Sequence, residues 1–290
     1  KRLVAMVGRE AHRRGLVFDA PTKLDFVRRP WLCGGGEKVK GASVLDVRAG
    51  WYRDPVVTCD YSSLYPSLLM SHNLCPSRVL LGEVEPELSP LVPAAVRAAV
   101  KSYEVEEIDD DVRWTYHVVQ RGADGAQKGV LPVVASRLLA ERKEAKTEMK
   151  AHAPGSVAYE LFDAKQNALK VLCNSLYGML NAILRGDLYC RPLGAIITKM
   201  GRKAIASIQD DVECVPGAEI TAGDTDSVMF RLAGRTVEEA QVIGVEVAKR
   251  VTQRLRADGA HAMTLAFEKV MCPSVFLAKK NYVYLSHKPG

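Results

Sequence analysis

The chain has 290 residues, 48% of them hydrophobic and 26% charged, so it carries enough apolar material for a core, and disorder as its main state is excluded. No stretch of about 18 apolar residues lacks a charge or a break, which excludes a membrane span. Lys and Arg number 40 against 34 Asp and Glu, a net charge of +6 and a pI of about 8.9; this mild basic excess permits a nucleic-acid partner without demonstrating one. The seven cysteines are scattered, with no C-x-x-C pair. That argues against a disulfide framework or a zinc site and suits a reducing compartment. The six histidines show no ligand spacing either.

Residues 1–30 begin with a short helical pattern, and Gly34-Gly35-Gly36 is a flexible break. Val56-Val57-Thr58-Cys59 suits a buried strand ending at Asp60. Ser62 to Met70 can begin a helix. Residues 82–130 are the least regular part. They hold an acidic cluster read as a solvated loop (Glu104, Glu106, Glu107, Asp109, Asp110, Asp111), a strand at Trp114–Val119 and a turn at Asp124-Gly125. Two long helical patterns follow. The first runs from about Val133 to Met149, with Val134, Leu138, Ala145 and Met149 among its apolar positions. Pro154-Gly155 breaks it. The second runs from about Val157 to Tyr177, with Leu161, Ala164, Ala168, Val171 and Leu172, and Gly178 is read as its stop. Their short connection predicts an antiparallel helical hairpin.

A third helix is expected from about Leu193 to Ile208. The period then changes. Ile220, Ala222, Val228, Phe230 and Leu232 alternate around Gly223-Asp224-Thr225-Asp226, a β-hairpin pattern. Thr236-x-x-Glu239 is a capping box opening a helix to about Leu255. Met263, Leu265 and Phe267 alternate as a strand, with Glu268 at its end. The fold class is α+β: an antiparallel sheet with packed helices and a protruding two-helix hairpin. The chain opens at Lys1 without an initiator Met and stops just after Val283-Tyr284-Leu285. Both ends read as cuts, so an internal piece of a longer protein is expected.

Taken alone, Asp224-x-Asp226 carries little weight. With 16 Asp in the chain, chance supplies about one D-x-D, and Asp109-x-Asp111 is a second. A hairpin turn between apolar strands nevertheless holds two carboxylates on a rigid element, and carboxylates suit Mg²⁺, a hard cation that completes its shell with substrate phosphates. Asp60 ends the other apolar strand, and the turn after it leads into a helix start, where backbone N–H groups can bind an anion. The plain alternative for Asp60 is a helix cap. On the helical pair, Arg142 and Lys146 share one face at i, i+4, and Lys170, Asn174 and Tyr177 share another at i, i+4, i+7. The plain alternative is a solvated salt-bridge face, since Glu141, Glu144 and Glu148 are interleaved. Lys279-Lys280-Asn281-Tyr282 is a basic and aromatic cluster suited to phosphate contact and stacking.

Together these segments resemble family B DNA polymerases. Asp60-Tyr-Ser-Ser-Leu-Tyr-Pro-Ser-Leu-Leu69 is similar to that family's first polymerase motif. Lys170-Val-Leu-Cys-Asn-Ser-Leu-Tyr-Gly178 is similar to the second, and Gly223-Asp-Thr-Asp-Ser227 to the third. Gly129-Val-Leu-Pro132, Leu138-Leu-Ala-Glu-Arg-Lys143, Phe267-Glu-Lys269 and Lys279-Lys-Asn-Tyr282 resemble further segments, in the family's order. Two departures stand out. Ala222 stands where that family usually has Tyr, which would alter packing near the primer end, and Asn281 stands where a basic residue is usual, which would weaken a primer contact. The stretch Ser71-His-Asn-Leu-Cys-Pro76 is reminiscent of herpesvirus-like polymerases.

The resemblance implies residues 1–55 as a run-in from an exonuclease region and 56–130 as the first part of a palm with an irregular insert. It implies 131–185 as a fingers hairpin and 186–290 as the second palm part, with a thumb to follow. The implied activity is template-dependent addition of dNTPs to a primer 3′-hydroxyl, by the two-metal-ion route. Asp60 and Asp226 would hold two Mg²⁺ ions, with Asp224 beside them as a lesser or adjusting ligand. Arg142, Lys170 and more weakly Lys146 would bind the triphosphate. Ser63, Leu64 and Tyr65 would cradle it through backbone N–H groups, and Tyr65 would also exclude ribonucleotides. Asn174, Tyr177 and Gly178 would line the nascent base-pair pocket. Lys279, Lys280 and Tyr282 would hold primer–template DNA.

A processivity factor bound outside this chain, a nuclear location in the (infected) host cell and inactivity of the isolated piece are further expectations. Two other classes compete. A catalytically silent polymerase-like DNA-binding module would have lost a metal Asp or the hairpin cations, and all are present. A Mg²⁺-dependent D-x-D glycosyltransferase would need a nucleotide-binding βαβ start, and none is seen.

Overall fold

The computed structural model describes residues 2–14, 41–42, 45–80, 100–106, 113–119, 128–180 and 190–288. The strands are β1 (Gly50–Tyr52), β2 (Val56–Tyr61), β3 (Val79–Leu80), β4 (Val100–Glu106), β5 (Arg113–Val119), β6 (Ala218–Gly223), β7 (Ser227–Leu232), β8 (Leu265–Ala278) and β9 (Asn281–His287). The helices are α1 (Arg2–Arg13), α2 (Leu64–Ser71), α3 (Val130–Lys150), α4 (Val157–Leu180), α5 (Arg191–Glu213) and α6 (Val237–Ala257). The chain divides into two compact units, residues 1–40 with 65–197 and residues 41–64 with 198–290. Helices and antiparallel sheets together make an α+β fold, as the patterns predict. Gly34–Gly36, the Asp124-Gly125 turn, Glu107 and Asp109–Asp111 lie outside the described residues.

In the first unit, α3 and α4 form the expected helical hairpin. On α3, Val134, Leu138 and Ala145 are buried as their spacing predicts. On α4 the expected face is wrong. Leu161 and Val171 are 66% and 64% exposed, and Ala164 and Ala168 are exposed too. The buried stripe is Gln166, Leu169, Cys173, Leu176 and Leu180. Both faces of α4 carry apolar residues, so periodicity alone had two solutions, and packing on α3 selected one. Gly178 does not stop α4. A mid-helix glycine costs about 1 kcal/mol, while burial of a leucine such as Leu180 contributes about 1.5–3 kcal/mol. The Leu180 carbonyl also accepts from the Cys190 N–H at 3.0 Å. Helix α3 begins at Val130, ahead of the expected Val133, because Pro132 in the first turn needs no intrahelical acceptor.

The start of α3 is capped from a distance. The Gly129 N–H donates to Asn73 Oδ1 at 2.7 Å, and the Leu131 N–H donates to Cys75 Sγ at 3.4 Å. Asn73 is held in the left-handed region at φ 51°, which asparagine tolerates better than most residues. A Cβ on Gly129 would lie 2.4 Å from Cys75 Cβ, so this approach requires glycine. The region expected to be irregular contains an antiparallel sheet in the order β3-β5-β4. Glu104 and Glu106 are therefore strand residues, paired in register with Thr115 and Arg113. Strand pairing overrides the local acidity that suggested a loop.

The second unit is built on a sheet with β1-β8-β2-β7-β6 in order and β9 on β8. Helix α6 opens with the expected capping box, Thr236 Oγ1 accepting from the Glu239 N–H and Glu239 from the Thr236 N–H. Its buried residues, Ala240, Gly244, Val247, Ala248 and Val251, fall on one face at helical spacing. A Cβ on Gly244 would meet Phe267 at 2.6 Å and Val57 at 2.8 Å, so the helix lies flush on β8 and β2. Strand β8 is longer than expected and places Glu268 inside it, not at its end. The strand continues because Val270 and Met271 carry the buried pattern past Glu268. Helix α5 likewise outruns its expected limits at both ends, since Val212 is still buried.

Two tests follow from the first unit. Gly129→Ala should destabilise it by about 1–3 kcal/mol through overpacking against Cys75, read by urea denaturation. His72 is held down at about 4 by burial, and secondarily by Lys101. The folded state thus prefers the neutral ring, and the unfolded chain takes up the proton first. This contribution is complete above about pH 6.5 and is lost as pH falls toward 4, on the order of 3 kcal/mol in all. His72→Phe should flatten that acid-side slope in thermal melts across pH 4–7.

Candidate active site

Two carboxylate-bearing segments meet in the second unit. Asp60 lies opposite Ser227 in the antiparallel β2–β7 register. Beyond that pair, the Tyr61 N–H donates to the Asp226 carbonyl at 2.7 Å. The Asp224 N–H donates to the Ser227 carbonyl at 2.9 Å and closes the β6–β7 turn. Asp60 and the Asp224–Asp226 turn therefore lie at one end of the β2–β7 strand pair, although they are far apart in the sequence. Against β8, the β2 register shifts between Thr58 and Cys59, just before Asp60; such irregularities re-aim the side chains that follow. The Ser62 N–H then donates to the Thr264 carbonyl at 2.9 Å, and Ser63 adopts φ 57°. A non-glycine residue in the left-handed region stores strain and is held by its surroundings.

Buried groups behind Asp60 anchor the strand end. Tyr61 is 1% exposed, and its hydroxyl donates to the Ala204 carbonyl on α5 at 3.0 Å. Burial raises this phenol to about 12, with smaller effects from Ser207, Arg254 and Asp211, so it stays a donor at neutral pH. Asp211, nearly buried on α5, pairs with Arg250 at 2.9 Å and Arg254 at 2.5 Å. These two arginines tie α6 to α5. Motif spacing gave no sign of this brace; the only signal was an Arg pair at i, i+4 on the α6 pattern.

Asp224 is already engaged. Its Oδ1 accepts from the Thr225 N–H at 2.8 Å and the Thr225 hydroxyl at 3.4 Å, and its Oδ2 lies 3.0 Å from Lys280 Nζ. Burial raises the Asp224 pKa, but the Lys280 and Thr225 hydrogen bonds outweigh it and hold the carboxyl below its usual range. Lys280, at φ 63° in the β8–β9 turn, is raised by the same pair. Its neighbour Lys279 pairs with Asp46 at 3.1 Å. Tyr282 packs on Phe276 with ring centroids 4.6 Å apart. Ala222, expected to alter packing near a primer end, is fully buried in a core cluster with Val56, Met271 and Phe276, against which Tyr282 packs.

The cations and aromatics of the helical pair lie in the first unit. Arg142 Nε donates to Gln166 Oε1 at 3.4 Å. The Lys146 pKa is lowered by burial, then by Arg142, Lys170 and Lys150 nearby, so the expected cations share one region. Glu141 pairs with Arg137. None of Arg142, Lys146 and Lys170 pairs with a carboxylate among the described residues, which weakens the salt-bridge-face alternative. Tyr65 and Tyr177 stack with centroids 4.4 Å apart. Asn174 and Gly178 are exposed on α4. Gln166 went unnoticed in the sequence because an amide in the mostly polar run Asp163–Asn167 carries no motif.

The donor set fits a hard divalent cation. Asp60 and Asp226 lie on adjacent segments and would supply carboxylate oxygens, while the Asp224 oxygens contact Thr225 and Lys280. Among the described residues, no three His, Cys, Asp or Glu side chains form a ready metal cluster. A two-carboxylate site of this kind suits Mg²⁺ that draws its remaining ligands from substrate phosphates and water. No helix among the described residues is long and apolar enough to cross a membrane.

Comparison with known proteins gives the family. The profile of DNA polymerase family B matches residues 5–289. The chain belongs to DNA polymerase family B. It is 31% identical over 260 residues to the DNA polymerase delta catalytic subunit of Drosophila melanogaster, covering 87% of this chain and 22% of that protein. It is 34% identical over 262 residues to the delta catalytic subunit of Dictyostelium discoideum, covering 88% and 22%. It is 32% identical over 292 residues to the DNA polymerase zeta catalytic subunit of Arabidopsis thaliana, covering 99% and 15%. The chain thus spans about a fifth of the length of the delta relatives it matches.

The Lys280–Asp224 pair is 70% exposed on the lysine side. Exposed pairs contribute little because solvent screens them, so Lys280→Met should leave unfolding stability nearly unchanged. Asp211→Ala should cost more, about 1–3 kcal/mol, because its partners bind a nearly buried carboxylate. Parallel chemical denaturation of the two variants checks the contrast.

Proposed function

We propose that this chain carries the palm and fingers of a DNA-directed DNA polymerase, adding dNTPs to a primer 3′-hydroxyl on a DNA template. The observation that carries this reading is the β2–β7 pairing, which brings Asp60 and Asp226 to the same end of two paired strands in a chain of this family. Asp60 and Asp226 would hold the metal ions, and Asp224, bound to Lys280, would adjust the site. Two bound Mg²⁺ ions would supply a lowered pKa for the primer hydroxyl and charge neutralisation for the triphosphate and leaving pyrophosphate.

The remaining work falls to the chain itself. Arg142 and Lys170, with Lys146 beside them, bind the β- and γ-phosphates. Three clustered cations repel one another, so a polyanion relieves that repulsion as it binds. Ser63, Leu64 and Tyr65 bind the triphosphate through backbone N–H groups at the start of a helix, where such groups favour anions. The Tyr65 ring crowds the sugar C2′ position and disfavours ribonucleotides. Tyr177, stacked on Tyr65, lines the base-pair pocket with Asn174 and Gly178. Lys279, Lys280 and Tyr282 hold the primer–template backbone, for which Lys279 and Lys280 exchange their present carboxylate partners. Movement of the helical hairpin onto a matched nucleotide couples fit to catalysis.

A processivity partner bound outside this chain and a nuclear location belong to the same reading. A viral affinity rests on Ser71–Pro76 alone, and the capping roles of Asn73 and Cys75 give those residues a structural reason independent of lineage. The test is templated primer extension by the full-length protein with Mg²⁺ and four dNTPs, beside its Asp226→Asn variant. Extension should fall by at least about 10²-fold in the variant, with the fold and primer–template binding retained. Equal extension by both overturns the metal assignment. No extension by either, with DNA still bound, favours a silent DNA-binding module.

A further inference from the structure

Gln166 sits on the buried stripe of α4, only 8% exposed. An amide placed there is costly unless its hydrogen bonds are made. Both are made. Its Oε1 accepts from Arg142 Nε at 3.4 Å, and its Nε2 donates to Asp163 Oδ1 at 2.9 Å. Asp163 Oδ2 accepts in turn from Asn167 Nδ2 at 3.1 Å. The amide's orientation is dictated by its partners, since a guanidinium can only donate and a carboxylate can only accept. Asp163 thus turns the amide, and the amide faces its oxygen to Arg142.

The chemistry of this acceptor matters. A carboxylate in place of Gln166 would neutralise Arg142, whereas an amide orients it and leaves its charge available. A second neighbour, Cys173, also leaves the charge of Arg142 unpaired. Cys173 is raised to about 11 by burial, against a lowering effect of Arg142, so near neutral pH it is an uncharged thiol. Arg142 makes no other hydrogen bond or ion pair among the described residues. With Nε fixed, both Nη groups point as a planar fork, the geometry that binds phosphate oxygens in pairs.

We propose that Gln166 is a positioning residue that fixes Arg142 for the nucleotide triphosphate, with Asp163 setting the amide's direction. The proposal rests on the polymerase reading above. It is tested by nucleotide incorporation kinetics and DNA binding in the full-length protein. Gln166→Met keeps the volume and removes both hydrogen bonds. It should raise the dNTP KM about three- to tenfold, with kcat and primer–template Kd changed less. In an Arg142→Ala background the same substitution should add nothing, because the group it positions is gone.

Gln166→Glu adds charge, and pairing it with Asp163→Asn restores a donor facing the new carboxylate. The double variant should recover stability yet keep a raised KM, since Arg142 is now neutralised. A merely structural role predicts that KM recovers with stability, and that result overturns the proposal. So does an unchanged KM in folded Gln166→Met when Arg142→Ala raises it. An Arg142→Ala protein with wild-type KM overturns the triphosphate role of Arg142, and the relay falls with it.

Discussion

The hydrogen bond from the Tyr61 N–H to the Asp226 carbonyl is the constraint on which the rest of the structure turns. It closes a very long loop. Loop-closure cost grows slowly with length, so the main demand is not entropy but register. A slip of one residue in β2 against β7 would send Asp60 to the opposite face. The register is held from three sides. Val56, Val57 and Cys59 are buried in the sheet, α6 lies flush on β2 through Gly244, and the Tyr61 hydroxyl is anchored to α5.

The two units solve different electrostatic problems. The second brings carboxylates to one end of the β2–β7 strand pair, and Lys280 and Thr225 offset part of that charge at Asp224. The first gathers Arg142, Lys146 and Lys170 with no carboxylate partner among the described residues and supports Arg142 with a neutral amide. On the proposed reading, the carboxylates suit divalent cations and the hairpin cations suit phosphate oxygens.

Ordinary packing supports this chemistry from a distance. Asn73 and Cys75 cap α3 and so set where the cation-bearing helix begins. The Asp211–Arg250–Arg254 brace holds α5 against α6 behind the strand that ends at Asp60. Such residues carry no catalytic motif, but their loss would move the groups that do.

By itself the sequence determined the α+β class, the helical hairpin, the β6–β7 turn, the capping box at Thr236, and the residue types at Asp60, Asp226, Arg142 and Lys170. These are legible because periodicity, capping and short turns act over a few residues, and because the three motifs resemble a known family. Only the tertiary structure decided which face of α4 is buried, that α4 passes through Gly178, that residues in an acidic stretch join a strand, and that Glu268 lies inside β8. It alone revealed Gln166 beneath Arg142 and Lys280 on Asp224. Each of these depends on partners distant in the chain, and local pattern cannot rank two apolar faces or pair an amide with an arginine on another helix.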